Sequence, residues 1–184
     1  MSTFVALLRA VNLGSHQQIA MAALRDFATN LGLRDVRTIL QSGNLIFGAE
    51  SQGAKDLESL LESHAKTALR LGTDFFVRSA KDWKVLVEQN PFPDEARRTP
   101  GRLIVMFLKQ PPSPGSLKTL RESIRGPEVL EIVGRQAYVI YPDGVGRSRL
   151  TNAAIEAKLG TRTTGRNWNT VLKIAVLAGS EGVS

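Results

Sequence analysis

Short apolar runs alternate with longer amphipathic stretches along this chain in an order that few folds can satisfy. The first, FVALLRAV at residues 4–11, is nearly all apolar and partly β-branched, which predicts a strand buried on both faces in the middle of a sheet. The chain then turns through Asn12-Leu13-Gly14-Ser15. From Met21 the apolar positions Met21, Leu24, Ala28 and Leu31 form a helix stripe, and Gly32 supplies its stop. VRTILQ and NLIFGA are two antiparallel strands joined at Ser42-Gly43, where glycine permits the positive φ of a hairpin turn. AKDLESLLESHAKTALRLG places Leu57, Leu60, Leu61, His64 and Ala68 on one stripe and ends at Gly72, and DFFVRS reads as a strand. The order β-α-β-β-α-β over residues 1–78 is that of a ferredoxin-like plait, four antiparallel strands with two helices on one face.

Residues 79–101 read as a connecting helix, carrying Trp83 and Leu86, followed by a linker. In NPFPDEARRTPG the prolines, glycine and charge blocks continue neither regular period. Residues 102–184 repeat the order. LIVMFL is a strand, SPGSLKTLRESIRG a helix capped by Ser113 with Pro114 in its first turn, and VLEIVG and QAYVIY are strands joined at Gly134-Arg135. RLTNAAIEAKLG is a helix, TRTT a candidate fourth strand, and a last helix from about residue 167 to 178 is expected to bury Trp168, Val171, Leu172 and Ala175. The fold class is therefore α+β, two ferredoxin-like (βαββαβ) subdomains plus a C-terminal helix. No residue-level repeat stands out between the halves.

The size and the 42% hydrophobic content suffice for a core without disulfide or metal staples. With no cysteine there is no disulfide framework, thiol catalysis or thiolate metal site, which fits a reducing compartment. The opening segment lacks a signal peptide's leading positive region, Arg9 interrupts its apolar run, and no stretch approaches the 18 to 20 apolar residues of a membrane span. A soluble cytoplasmic protein without membrane association is the expectation. The formal charge of +7 is unevenly spread: residues 1–96 carry ten Lys and Arg against eleven Asp and Glu, a net of −1, and residues 97–184 carry fourteen against six, a net of +8. Such a basic half attracts nucleic acid or phosphorylated metabolites.

Three stretches could carry chemistry. In TRTTGRNWNT, residues 161–170, Asn167 is suited to cap the last helix, Gly165 lets the backbone bend, and Arg162 and Arg166 flank that turn. A helix start with guanidinium groups and hydroxyls beside it is a plausible cradle for phosphate or carboxylate. Arg147, Arg149 and Lys158 upstream raise the local positive count. The second stretch is RAVNLGSHQQ, residues 9–18, where Arg9, Asn12, Ser15 and the Gly14 backbone could converge on an anion, although no GxxxxGK[ST] pattern is present. The third is QSGN, residues 41–44, with Ser42 and Asn44, which a hairpin turn alone explains. Trp168 reads as a core anchor. His16 and His64 have no metal-ligand spacing, so neither a metal nor another cofactor is expected, and burial explains Phe4, Phe47 and Phe107 better than an RNA-stacking sheet face does.

Taken together, ALLRAVNLG, VRTILQSGNLIF, the NPF at 90–92 and RNWNTVLKIAVL resemble a family of uncharacterised bacterial proteins, domain of unknown function 1697, over nearly the whole chain. The resemblance implies two plait subdomains and no activity or catalytic residue. That family commonly has LRGIN where residues 8–12 read LRAVN, and a glycine- and lysine-rich loop ending in Pro-Met where residues 14–21 read GSHQQIAM. Without that basic residue, an anion site in the first loop is weaker.

The leading expectation is a module that binds an anionic ligand, nucleic acid or a phosphorylated metabolite, through residues 147–170. The alternative is a metal-independent enzyme acting on a small phosphorylated or nucleotide-like substrate in a cleft between the subdomains, with Arg9, Asn12, Ser42 and Asn44 as its polar contacts.

Overall fold

The computed structural model describes residues 1–12, 17–50 and 52–179. They form two compact units, residues 1–85 with 174 onward, and residues 86–173. The first contains β1 (Ser2–Leu8), α1 (Met21–Asn30), β2 (Arg34–Ile39), β3 (Asn44–Ala49), α2 (Ala54–Ala68) and β4 (Phe75–Ser79). The helix α3 (Ala80–Glu88) crosses the boundary of the units, upstream of the Pro-rich stretch where the sequence suggests a junction. In that stretch, expected to continue no regular period, α4 (Pro93–Arg98) and a 3-10 turn (Pro100–Arg102) form instead, with Pro93 and Pro100 at helix starts, where a missing N–H costs nothing. The second unit continues with β5 (Leu103–Leu108), α5 (Pro114–Ser123), β6 (Val129–Val133), β7 (Gln136–Ile140), a 3-10 turn (Val145–Arg147), α6 (Asn152–Leu159), β8 (Thr163–Asn167) and the start of α7 (Trp168–Gly179).

Each unit has one antiparallel four-stranded sheet, ordered β2-β3-β1-β4 in the first and β6-β7-β5-β8 in the second. These are the two plaits the element order implies. Strand β1 is central, and residues 4–8 are all buried, as an uninterrupted apolar run requires. One face of the first sheet, with Phe4, Ala6, Leu8, Leu45, Phe47, Phe75 and Val77, packs with Leu24, Phe27 and Ala28 of α1 and Leu57, Leu61 and Ala65 of α2. Met106, Leu108, Ala137 and Val139 pack likewise with Leu120 of α5 and Ile155 and Leu159 of α6. Phe4 and Phe47 stack at 6.1 Å inside the first core, so they serve packing.

The units correspond residue by residue where the sequence shows no repeat. Val5 pairs with Ile46 and Arg78 in the first sheet, and Val105 with Tyr138 and Arg166 in the second. Arg78 and Arg166 thus occupy the same position of the same edge strand. Both are buried, and each donates from Nη1 to the carbonyl of the preceding residue, Val77 at 2.8 Å and Gly165 at 2.8 Å. The next residue caps the following helix in each case: Ser79 Oγ accepts from the Asp82 amide at 3.0 Å, and Asn167 Oδ1 from the Thr170 amide at 2.9 Å. Carboxylates from the preceding helix close both edges. Glu58 and Glu62 accept from the amides of Val77 and Phe75 at 2.9 and 2.8 Å, and Glu156 accepts from Thr163 N at 2.7 Å. An edge strand with its free amides satisfied is a poor template for further strand pairing.

Several expected positions shift. On α2 the buried stripe runs through Leu57, Glu58, Leu61 and Ala65, leaving His64 and Ala68 exposed; the His64 ring lies against the Leu60 carbonyl, Nδ1 to O 2.9 Å. That helix ends at Ala68, with Leu69 as its C-cap, and not at Gly72. On α7 the buried residues are Trp168, Val171, Ile174 and Ala178, whereas Leu172 is exposed and Ala175 half-buried, because the stripe follows a 3-3-4 spacing. The first hairpin has a four-residue loop, since Ile39 pairs with Asn44; Leu40 and Gly43 take φ of 59° and 71°. Gly43 is required twice over, because a Cβ there would also lie 2.6 Å from Val11 Cγ2. Ala10, where the resembled family has glycine, sits at φ 51°.

Candidate functional site

The plait puts the connection from its first helix to its second strand and the connection from its third strand to its second helix at the same end of the sheet. In the first unit these connections are short, residues 31–33 and 50–53. They border a pocket of about 220 Å³ whose charged lining residues are Arg34 and Glu50. In the second unit both are longer, residues 124–128 and 141–151. The pocket between them is about 450 Å³ and is lined by Arg125, Arg147, Arg149 and Lys158, with the carboxylates Glu128 and Asp143. That volume falls in the range of roughly 300–1,000 Å³ usual for small-molecule sites.

The pocket rests on a polar scaffold. Tyr141, at the end of β7, is buried, and its hydroxyl donates to the Leu150 carbonyl at 2.9 Å. Ser148 Oγ accepts from the Leu150 amide at 3.0 Å and donates to Glu128 Oε1, tying the two long connections together. Burial, reinforced by the charge of Glu128, pushes the Tyr141 phenol up to about 12, so it is a donor throughout the neutral range. Gly144 makes the tight turn of the longer connection at φ 87°. Thr151 caps α6 by accepting from the Ala154 amide at 3.2 Å. Around this scaffold Arg125, Arg147, Arg149 and Lys158 are exposed, and among the described residues none of their side chains makes an ion pair or hydrogen bond.

Of the residues singled out in the sequence, the structure brings Arg149 to this pocket, together with Arg147 and Lys158. Arg162 lies elsewhere. It precedes β8 at the end where Thr163 pairs with Leu108, whereas Leu103 and Ile140 mark the pocket end, so a strand length of roughly 17 Å intervenes. Arg166 flanks no turn, because β8 runs on to Asn167. It is 8% exposed, and its guanidinium donates to Thr164 Oγ1 at 3.0 Å and Gly165 O at 2.8 Å. Burial lowers its pKa to about 10, which leaves it charged at neutral pH. Gly165 is likewise a strand residue, not a bend. A Cβ there would lie 2.8 Å from Met106 Sδ, so glycine permits close packing on the helix-covered face. Asn167 caps α7 as expected.

The first unit's polar residues are occupied by the fold. Asn12, at φ 55°, donates to the carbonyls of Ile19 at 2.9 Å and Gln41 at 2.8 Å and accepts from the Ile19 amide at 2.8 Å. Asn44 is fully buried and donates to Ile39 O at 2.7 Å and Ser42 Oγ at 2.9 Å. Arg9 is half-buried, and its backbone is held by Asp74 O and Thr73 Oγ1. Gly14 and Ser15 lie outside the described residues. Arg125, Glu128, Asp143 and Ser148 were missed, though plait topology alone puts their connections side by side.

A family model described as protein of unknown function (DUF1697) matches residues 1–138. A conserved bacterial protein from Streptococcus pneumoniae has the same fold, with a TM-score of 0.72 and 22% identity over 96% of this chain and 98% of its own. No curated protein matches. No helix among the described residues is long and apolar enough to cross a membrane.

Proposed function

The chain belongs to the DUF1697 family, proteins of unknown function, and we propose that it binds a small phosphorylated or carboxylated molecule in the pocket of its second unit. The observation that carries this reading is the set of four cations around about 450 Å³, without ion pairs or side-chain hydrogen bonds among the described residues. Arginines and lysines with no protein partner are available for charge-assisted hydrogen bonds to an anion. Comparison of the two units supports it. The equivalent place in the first unit is half the size and holds one charge of each sign, so Arg125, Arg147 and Arg149 come with the longer connections, and α6 adds Lys158. The charge bias agrees: residues 86–173 carry fourteen Lys and Arg against eight Asp and Glu. A pocket of about 450 Å³ matches a small ligand better than a nucleic acid, which needs an extended groove or face.

A thermal-shift screen of phosphorylated metabolites, inorganic phosphate and oligonucleotides tests this, followed by titration of any stabilising compound. Replacing Arg147 and Arg149 together by alanine is expected to weaken binding at least 10-fold, about 1.4 kcal/mol, the scale of one charge-assisted hydrogen bond. Arg162→Ala, at the other end of the sheet, is expected to leave affinity within about twofold in moderate salt, where charges more than about 8–10 Å apart are screened. Stabilisation by oligonucleotides alone, with a steep salt dependence, would transfer the activity to a nucleic-acid surface and remove the pocket from the account.

A further inference from the structure

The pocket of the second unit holds charge of both signs, which a site for a simple anion would not need. Glu128 and Asp143 line the same space as Arg125, Arg147, Arg149 and Lys158. Among the described residues none of these six forms an ion pair, so the carboxylates do not neutralise the cations by contact. Glu128 is moreover fixed in place, because its Oε1 takes the Ser148 hydroxyl hydrogen while Ser148 Oγ accepts from the Leu150 amide. A carboxylate held in this way repels a phosphate that enters alone, and it attracts a ligand that brings a positive group with it. The lining also includes Ile124, Pro127 and Leu150, which gives apolar surface for a short carbon skeleton.

We infer that the ligand is amphoteric, with an anionic group held by the arginines and lysine and a protonated amine received by Glu128 and Asp143. This rests on the anion-binding reading above and adds the second pole. The class is that of small phosphorylated amines and amino acids.

The test uses the full chain and three probes: inorganic phosphate, O-phosphoethanolamine, and 2-hydroxyethyl phosphate, in which a hydroxyl replaces the amine. Calorimetric titration is expected to show the amine compound binding at least tenfold more tightly than the hydroxyl compound. In Asp143→Asn and Glu128→Gln that preference is expected to shrink to less than about threefold, with phosphate itself binding more tightly than to the parent protein. Gln keeps an acceptor for Ser148, and Asp143 is exposed, so Asp143→Asn reads the effect even if Glu128→Gln unfolds. Equal affinity for the amine and hydroxyl compounds, with phosphate still bound, would overturn the amphoteric ligand and leave the anion site standing. Failure of all three probes to bind would overturn both.

Discussion

Asn12 stands in a loop that could have held an anion, yet its side chain closes three hydrogen bonds within the protein, so its removal should be felt in stability. Two of those bonds, to the Ile19 carbonyl at 2.9 Å and from the Ile19 amide at 2.8 Å, are part-buried; the third, to Gln41 O at 2.8 Å, is exposed. At about 1 kcal/mol for each part-buried bond and about 0.5 for the exposed one, Asn12→Ala loses roughly 2.5 kcal/mol. Alanine at a φ of 55° adds about 1 kcal/mol, because asparagine tolerates the left-handed region better. Asn12→Gly loses the same bonds without that strain, although its unfolded chain is freer, and is expected to be about 0.5 kcal/mol milder than alanine. Asn12→Asp keeps the acceptor for the Ile19 amide and loses both donated bonds, so it falls between glycine and the parent. Urea unfolding followed by a probe in the first unit measures the series, and hydrogen exchange at the Ile19 amide reports the loop directly. A loss below about 0.5 kcal/mol for alanine, or glycine worse than alanine, would refute the view of Asn12 as a brace between residue 19 and the first hairpin.

Two further expectations concern the second unit. Glu156→Ala leaves the fully buried Thr163 without its 2.7 Å acceptor and is expected to cost about 1.5–3 kcal/mol in denaturant unfolding, with Glu156→Gln costing about half as much; equal stability of all three proteins would show that the edge of β8 needs no carboxylate. The protein's two tyrosines, Tyr138 and Tyr141, are each raised from 10 to about 12 by burial, with Glu128 adding to the effect at Tyr141. The folded state therefore holds these protons more tightly than the unfolded state, so their contribution is full below about pH 10 and is lost as pH rises from 10 through about 12. Tyrosinate absorbance should stay low at pH 10.5 in the folded protein and rise on adding urea; half-ionisation at pH 10 in the folded state would contradict the burial of both phenols.

Whatever depends on a few neighbouring residues could be read in the chain. The alternation of short apolar runs with amphipathic stretches is local, because side chains repeat every two residues on a strand and about every 3.6 on a helix. It therefore specified two plaits, the central place of β1 and the caps at Ser113 and Asn167. The limits of such reading are also local. A helix stripe one residue wide of its true position exchanges Ala65 for His64 or Ile174 for Ala175, and a strand that runs three residues further than expected turns Arg166 from a flank of a bend into a buried member of an edge.

The site belonged to the tertiary level. Arg125 and Glu128 come from one connection and Asp143, Arg147, Ser148 and Arg149 from another, and they meet because antiparallel pairing returns both to the same end of one sheet. The same pairing holds Arg162 a strand length away from Arg149 despite their nearness in the chain. Sequence by itself set the composition, the positive bias of residues 97–184 and the order of the elements. Only folding decided which cations share a pocket and which are spent inside the protein, since strand register and polarity, not distance along the chain, determine what a guanidinium faces.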